Sequence, residues 1–183
     1  GTTTVVTALI DLQTGKEIAN ASMINAQKHF GLDVLTRITY EYENPETGAR
    51  ELQEAIVKSI NAMLGEVCQE AGVDRRDIRE IDVAANCTMM HMLLGVDARS
   101  IGRAPYKPEF LSAQTLPAKE IGIEAGENTI LYCLPQVSAY IGADIVAGAY
   151  VCEMQNAKGN VLFIDIGTNG EIVLASKGKL LCC

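Results

Sequence analysis

Tryptophan is absent from this sequence, and aromatic residues make up only 5% of it. The core must therefore rest on Ile, Val, Leu, Ala and Met, the usual filling of layered α/β folds. Lysine and arginine form no long run, and 15 of them stand against 23 acidic residues, for a formal net charge of −8. Such a surface repels nucleic acid and anionic membranes, so neither is expected as a partner. There is no basic-then-apolar leader, and no apolar stretch approaches the roughly 18 residues that a bilayer span needs, so a cytoplasmic protein is expected. Histidine occurs only as His29 and His91, on different elements. Packing is the default for each, and no Ser or Cys nucleophile pairs with either. The six cysteines (Cys68, Cys87, Cys133, Cys152, Cys182, Cys183) show no C-x-x-C spacing, which predicts reduced core thiols rather than a metal site.

What is present is an alternation of strand and helix patterns. Thr2 to Ile10 is rich in β-branched residues, Asp11 to Gly15 supplies a turn, and Lys16 to Ile24 runs extended again, which predicts a β-hairpin. Leu32 to Tyr42 suits a short helix, broken by Asn44-Pro45. Between Thr47 and Ala71 the residues Leu52, Ile56, Ile60, Met63, Leu64 and Val67 recur at helical spacing, and Gly72 is placed to end that helix in a left-handed cap. Ile81 to Ala85 reads as a buried parallel strand with Asn86-Cys87-Thr88 at its C-terminal end, and Met89 to Leu94 as a helix. Residues 97–115 read as a long surface loop, 121–123 and 130–134 as strands, and Gln136 to Met154 as one helix packed on a sheet. Three strands follow, over 160–166, 171–175 and 179–182. The pattern predicts an α/β layer sandwich whose sheet is made mixed by hairpins at both ends.

A constant offset of 166 superimposes Gly1-Thr2-Thr3-Thr4 on Gly167-Thr168-Asn169-Gly170, each leading into a strand and then into a glycine turn at Gly15 or Gly178. A loop of glycine and hydroxyl residues can aim backbone N–H groups and hydroxyls at a phosphate chain, although either loop alone could be an ordinary hairpin turn. The second is preceded by Asp165 inside an otherwise apolar strand. Burying that carboxylate unpaired is costly, so it calls for a partner: a hydrated Mg²⁺ beside phosphates, or the N–H groups of its own turn. Asn86, at a strand end, could serve a ligand or cap the next helix. Arg37 and Asp33 are spaced to pair along one helix face, or to face another lobe.

At Asp165-Ile166-Gly167-Thr168 the sequence resembles the second phosphate motif of the superfamily of acetate and sugar kinases, heat-shock chaperones and actin. Leu134-Pro135-Gln136-Val137-Ser138-Ala139-Tyr140 with Gly142 resembles that superfamily's connecting motif. The resemblance implies that Gln136 lies near the attacked phosphate. A resemblance covering nearly the whole chain is to the reductive activators of corrinoid proteins. It is carried by Asn25-Ala26-Gln27, the run from Gly31 to Ile38, Asn86-Cys87-Thr88-Met89, Ala104-Pro105-Tyr106 and Asp165 through Glu171.

That resemblance implies a ribonuclease-H-like (actin-like ATPase) lobe over residues 1–159 and the opening strands of a second lobe over 160–183. It implies ATP and Mg²⁺ as cofactors, with Gly1, Thr2, Thr3, Thr4, Gly167, Thr168, Asn169 and Gly170 at the nucleotide. Asp165 is expected at the metal, with Asp165, Glu171 and Gln136 as catalytic candidates. The expected partner is a corrinoid methyl-transfer protein, returned from Co(II) to Co(I) by electrons from an N-terminal 2Fe-2S ferredoxin-type domain that this sequence does not include. The strand and Asp of the first phosphate motif are likewise not in it, so a piece of a longer protein is expected. A small-molecule kinase and a nucleotide-switched scaffold are the competing readings, and a homodimer through the terminal strand edges stays open. For these 183 residues alone, weak or no ATP binding is expected; micromolar affinity in a calorimetric titration would contradict it.

Overall fold

The computed structural model describes residues 1–167 and 169–183 of the chain. The chain opens with the expected hairpin, β1 (Thr4–Asp11) paired antiparallel to β2 (Lys16–Ile24). The Asp11 carboxylate accepts from Gln13 N at 2.7 Å, and Gly15 takes the left-handed conformation at φ +67°. Strand alternation puts Val5, Leu9, Ala19, Ala21 and Met23 on the inner face.

Helix α1 (Val34–Glu43) starts at Asp33, whose carboxylate accepts from Thr36 N at 2.8 Å while the Thr36 hydroxyl accepts from Asp33 N. This reciprocal cap holds the Asp33 carboxyl below its usual range and occupies it locally. Arg37 therefore does not pair with Asp33 along the helix face but turns inward. Helix α2 (Gly48–Ala71) is the expected long element: its six periodic residues are all buried, and Gly72 closes it at φ +65°. The helix packs against β2 and β1 on one side and against α3 (Cys87–Leu94) on the other.

The single mixed sheet expected from the sequence is instead three separate sheets. β1 and β2 form one, β3 (Glu80–Val83), β5 (Ile130–Cys133) and β4 (Gln114–Pro117) form a second, and β6 (Val161–Ile166), β7 (Gly170–Ser176) and β8 (Lys179–Cys182) form a third. Only the middle one is mixed, with β3 parallel and β4 antiparallel to β5. β1–β2 and the middle sheet are joined by side-chain packing of α2 and α3 in one apolar cluster.

Two further expectations are corrected. Residues 121–123 form no strand: Pro117 ends β4, the chain winds through a 3-10 turn over Ala118–Ile121, and Gly122 at φ +85° drops Ile123 into the core. The helix expected from Gln136 to Met154 is reduced to α4 (Ala143–Val151). Upstream of it the Ser138 hydroxyl accepts from Tyr140 N and Ile141 N at 3.2 and 3.1 Å, a local alternative to helical pairing. α4 joins a second apolar cluster of Ile141, Ile145, Met154, Val173 and Ala175 with Phe163. It packs so closely that a Cβ on Gly148 would meet the Phe163 ring at 2.6 Å.

His91 is a packed histidine: its Nδ1 lies 2.8 Å from the Cys87 carbonyl, Glu109 N donates to Nε2 at 3.1 Å, and the ring stacks on Phe110. Cys68, Cys87 and Cys133 are buried and free, as expected, but Cys152, Cys182 and Cys183 are exposed because β8 and the end of α4 lie at the surface. Among the described residues no helix is long and apolar enough to cross a membrane.

The loop after α3 is tied to α1 by Glu41, which is 2% exposed and accepts from Ala98 N at 2.9 Å, leaving its other oxygen without a partner among the described residues. Burial pushes its carboxyl up to about 7, with the Ala98 hydrogen bond opposing. The folded protein thus holds this proton more tightly than the unfolded chain does. Its contribution to stability is complete below the ordinary carboxylate range and is lost as pH rises through about 7. Glu41→Gln is expected to gain about 2 kcal/mol more at pH 8 than at pH 5 in denaturant melts; equal effects at both would contradict this.

Candidate functional site

The Gly1–Thr4 segment is fastened from behind. Asn25 N donates to the Thr3 carbonyl at 2.9 Å, Asn25 Nδ2 to the Gly1 carbonyl at 3.0 Å, and Arg37 Nη2 to the Thr2 carbonyl at 2.7 Å. All three carbonyls are thereby drawn toward buried donors. In a planar trans peptide the next N–H points the opposite way, so those of Thr2, Thr3 and Thr4 face away from that interior. The Thr2 hydroxyl accepts from Asn86 Nδ2 at 2.8 Å, while Asn86 Oδ1 accepts from Met89 N at 2.9 Å. Asn86 therefore serves both alternatives read from the sequence, helix cap and loop support.

The second loop follows β6. Asp165 sits opposite Glu171 across the β6–β7 ladder, and Gly167 N donates to the Asn169 carbonyl at 2.9 Å. Asp165 is half-buried rather than buried, because β6 exposes Leu162, Ile164 and Ile166 on its other face. The two loops line one cleft of about 500 Å³, bounded by Gly1, Thr2, Thr3, Thr4, Gly167 and Asn169 with Asp165 and Glu171. Thr168 lies outside the described residues. Gly170 begins β7 and does not line the cleft. Gln136 does not line it either: its N donates to the Leu111 carbonyl at 2.8 Å, and its buried amide has no partner among the described residues.

Two further residues complete the wall, Asn86 and Asp144. Asp144 sits in the first turn of α4, where its carboxylate accepts from Ile145 N at 3.0 Å. The start of α4 is docked on the end of the β3 segment, with Ala143 N donating to the Ala85 carbonyl at 2.9 Å. A Cβ on Gly142 would lie 2.5 Å from Asn86 Cα and 2.7 Å from Asp144 Oδ1, so only glycine permits this approach. No motif in the sequence marks Asp144; the signal available was the glycine two residues before it.

Burial pushes the Asp144 carboxyl up, and the Asp165 charge adds to this. Glu171 is likewise raised, by burial and then by Asp144 and Asp165. Three carboxylates thus face N–H-rich loops across a partly desolvated space, where a polyphosphate would be repelled unless a cation stood between. Among the described residues no three acidic, histidine or cysteine groups are placed to chelate a metal directly. A cation held by these carboxylates would be held through water, as a hydrated Mg²⁺ is.

A family model described as the RACo middle region matches residues 1–157. A corrinoid activation enzyme of Eubacterium limosum, RamQ, is 32% identical over 179 residues, which is 98% of this chain and 30% of that protein. A solved structure described as a reductive activator for corrinoid, iron-sulfur protein superimposes with a TM-score of 0.96 at 42% identity, covering all of this chain and 29% of that one. The chain therefore spans under a third of the length of the relatives it matches.

Asn86→Ala removes both cap and loop support, and is expected to cost about 1–2 kcal/mol in a denaturant melt. Asn86→Asp keeps the cap and should cost less at pH 5 than at pH 8, where its charge joins those of Asp144 and Glu171. A cost independent of pH would place position 86 outside the field of the carboxylates.

Proposed function

Because the chain belongs to the RACo middle-region family, we propose that it is the nucleotide-gripping segment of an ATP-dependent activator that returns a corrinoid protein from Co(II) to Co(I). The observation that carries the proposal is the convergence of Gly1, Thr2, Thr3 and Thr4 with Gly167, Asn169 and Asp165 on one cleft. In this reading the fold is a ribonuclease-H-like, actin-like lobe over 1–159, with β6 to β8 opening a second lobe. The N–H groups and hydroxyls of both loops hold the ATP phosphates, and Asp165 holds the Mg²⁺ through water. Asp144 and Glu171 add charge that favours the cation-bound nucleotide over the bare one.

ATP hydrolysis to ADP and phosphate would draw the two loops together and move the lobes around a bound corrinoid protein. An iron–sulfur domain, expected in the longer protein, would supply the single electron that takes Co(II) to Co(I). In this reading the partner is a corrinoid methyl-transfer protein; the relatives' descriptions, corrinoid activation and reductive activation, support a corrinoid protein as its class.

The test is ATP-dependent reduction of a Co(II) corrinoid protein by the full-length protein, followed by the corrinoid absorbance. Asp165→Asn is expected to lower the rate by about 100-fold or more with the fold unchanged by circular dichroism. Phosphorylation of an added sugar or acid, or reduction that proceeds equally without ATP, would overturn the reading.

A further inference from the structure

Arg37 is a fully buried guanidinium whose acceptors are all neutral. Its Nε donates to the Gly31 carbonyl at 3.0 Å, Nη1 contacts Gln27 Oε1 at 3.3 Å and Met89 Sδ at 3.0 Å, and Nη2 reaches the Thr2 carbonyl at 2.7 Å. No carboxylate among the described residues forms an ion pair with it. The nearby acid on its own helix, Asp33, is engaged in capping α1. A buried cation without a counter-ion is expensive, and a neutral donor could have held the Thr2 carbonyl at less cost, as Asn25 does for Gly1. The charge also stands directly behind the Thr2 carbonyl of the loop that lines the cleft, whose wall includes the carboxylates Asp144, Asp165 and Glu171.

We propose that Arg37 is a positioning residue for an anionic phosphate ligand: it fixes the Gly1–Thr4 loop through the Thr2 carbonyl and supplies, without touching the ligand, the positive charge that completes the site when a polyphosphate binds. In the folded protein its counter-ion is the ligand itself. The proposal deepens the nucleotide reading above and rests on it for the identity of the ligand. The hydrogen bond fixes where the loop's N–H groups point, and the charge sets how strongly the cleft prefers more highly charged ligands. The two roles separate by substitution, because Lys keeps the charge and loses the fork, whereas Gln keeps a donor and loses the charge.

The experiment measures binding of ATP, ADP and inorganic tripolyphosphate to the full-length protein and to Arg37→Lys and Arg37→Gln, with Mg²⁺, at two salt concentrations, alongside melting temperature. Arg37→Gln is expected to lose roughly tenfold in affinity for ATP and tripolyphosphate, less for ADP, with a weaker salt dependence. Arg37→Lys is expected to retain the ATP-over-ADP preference even where its melting temperature falls. A lowered melting temperature in both variants with the preference and salt dependence unchanged would make Arg37 purely structural and overturn the proposal. So would loss of the preference in the Lys variant. Binding of tripolyphosphate that depends on Arg37 without any preference for ATP would instead sink the nucleotide reading and leave Arg37 in its role. Absence of binding by the unsubstituted protein to all three ligands would overturn both.

Discussion

Three consecutive backbone carbonyls, those of Gly1, Thr2 and Thr3, are each drawn toward the interior by a buried donor, and the geometry of the cleft follows from that pinning. A loop of glycine and threonine has wide freedom in isolation. Here its peptide planes are oriented by Asn25 and Arg37, and those two are themselves oriented by Gln27 and Met89. Gln27 in turn donates to the Leu52 carbonyl at 3.0 Å, so the loop is referenced to α2, the longest helix. A buried polar network of this kind has little tolerance for partial satisfaction, because each unpaired member would carry its full desolvation cost.

The opposite side of the cleft adds a close approach to its hydrogen bonds. Gly142 lets α4 begin against Asn86, which brings Asp144 to the wall and ties it to the residue that supports Thr2. The acidic side chains thus come from two different places, Asp144 from the start of a helix and Asp165 with Glu171 from a ladder.

The strongly periodic parts of the fold were legible in the sequence. The 24 residues of α2 repeat their apolar set at helical period, and Gly72 marks the end where a left-handed residue is needed. The hairpins at both ends, and the two glycine loops, were legible because strand patterns flank turn residues at matching spacing. The helix drawn from Gln136 failed because a serine hydroxyl competes for backbone N–H groups, an effect invisible to apolar spacing. β4 goes unmarked in the sequence, its first two residues falling within the expected loop over 97–115, because it is only four residues long and lies among Ser, Gln and Pro. Of the residues expected at the site, Gly1, Thr2, Thr3, Thr4, Asp165, Gly167, Asn169 and Glu171 line the cleft, whereas Gly170 and Gln136 do not. Arg37 was misjudged because helical spacing suggested a surface pair, and only tertiary structure turns it inward. Asp144 carried no pattern of its own.

The apolar residues divide into two clusters, one around α2 and α3 and one between α4 and β6–β7. One of the two glycine loops adjoins each. The helix that bridges them stands with its first turn against the Ala85 carbonyl and its body against Phe163. α4 therefore spans the two clusters, with Ala143 in the first and Ile145 in the second. The separation of the two glycine loops therefore depends on how that single nine-residue helix is seated at each end.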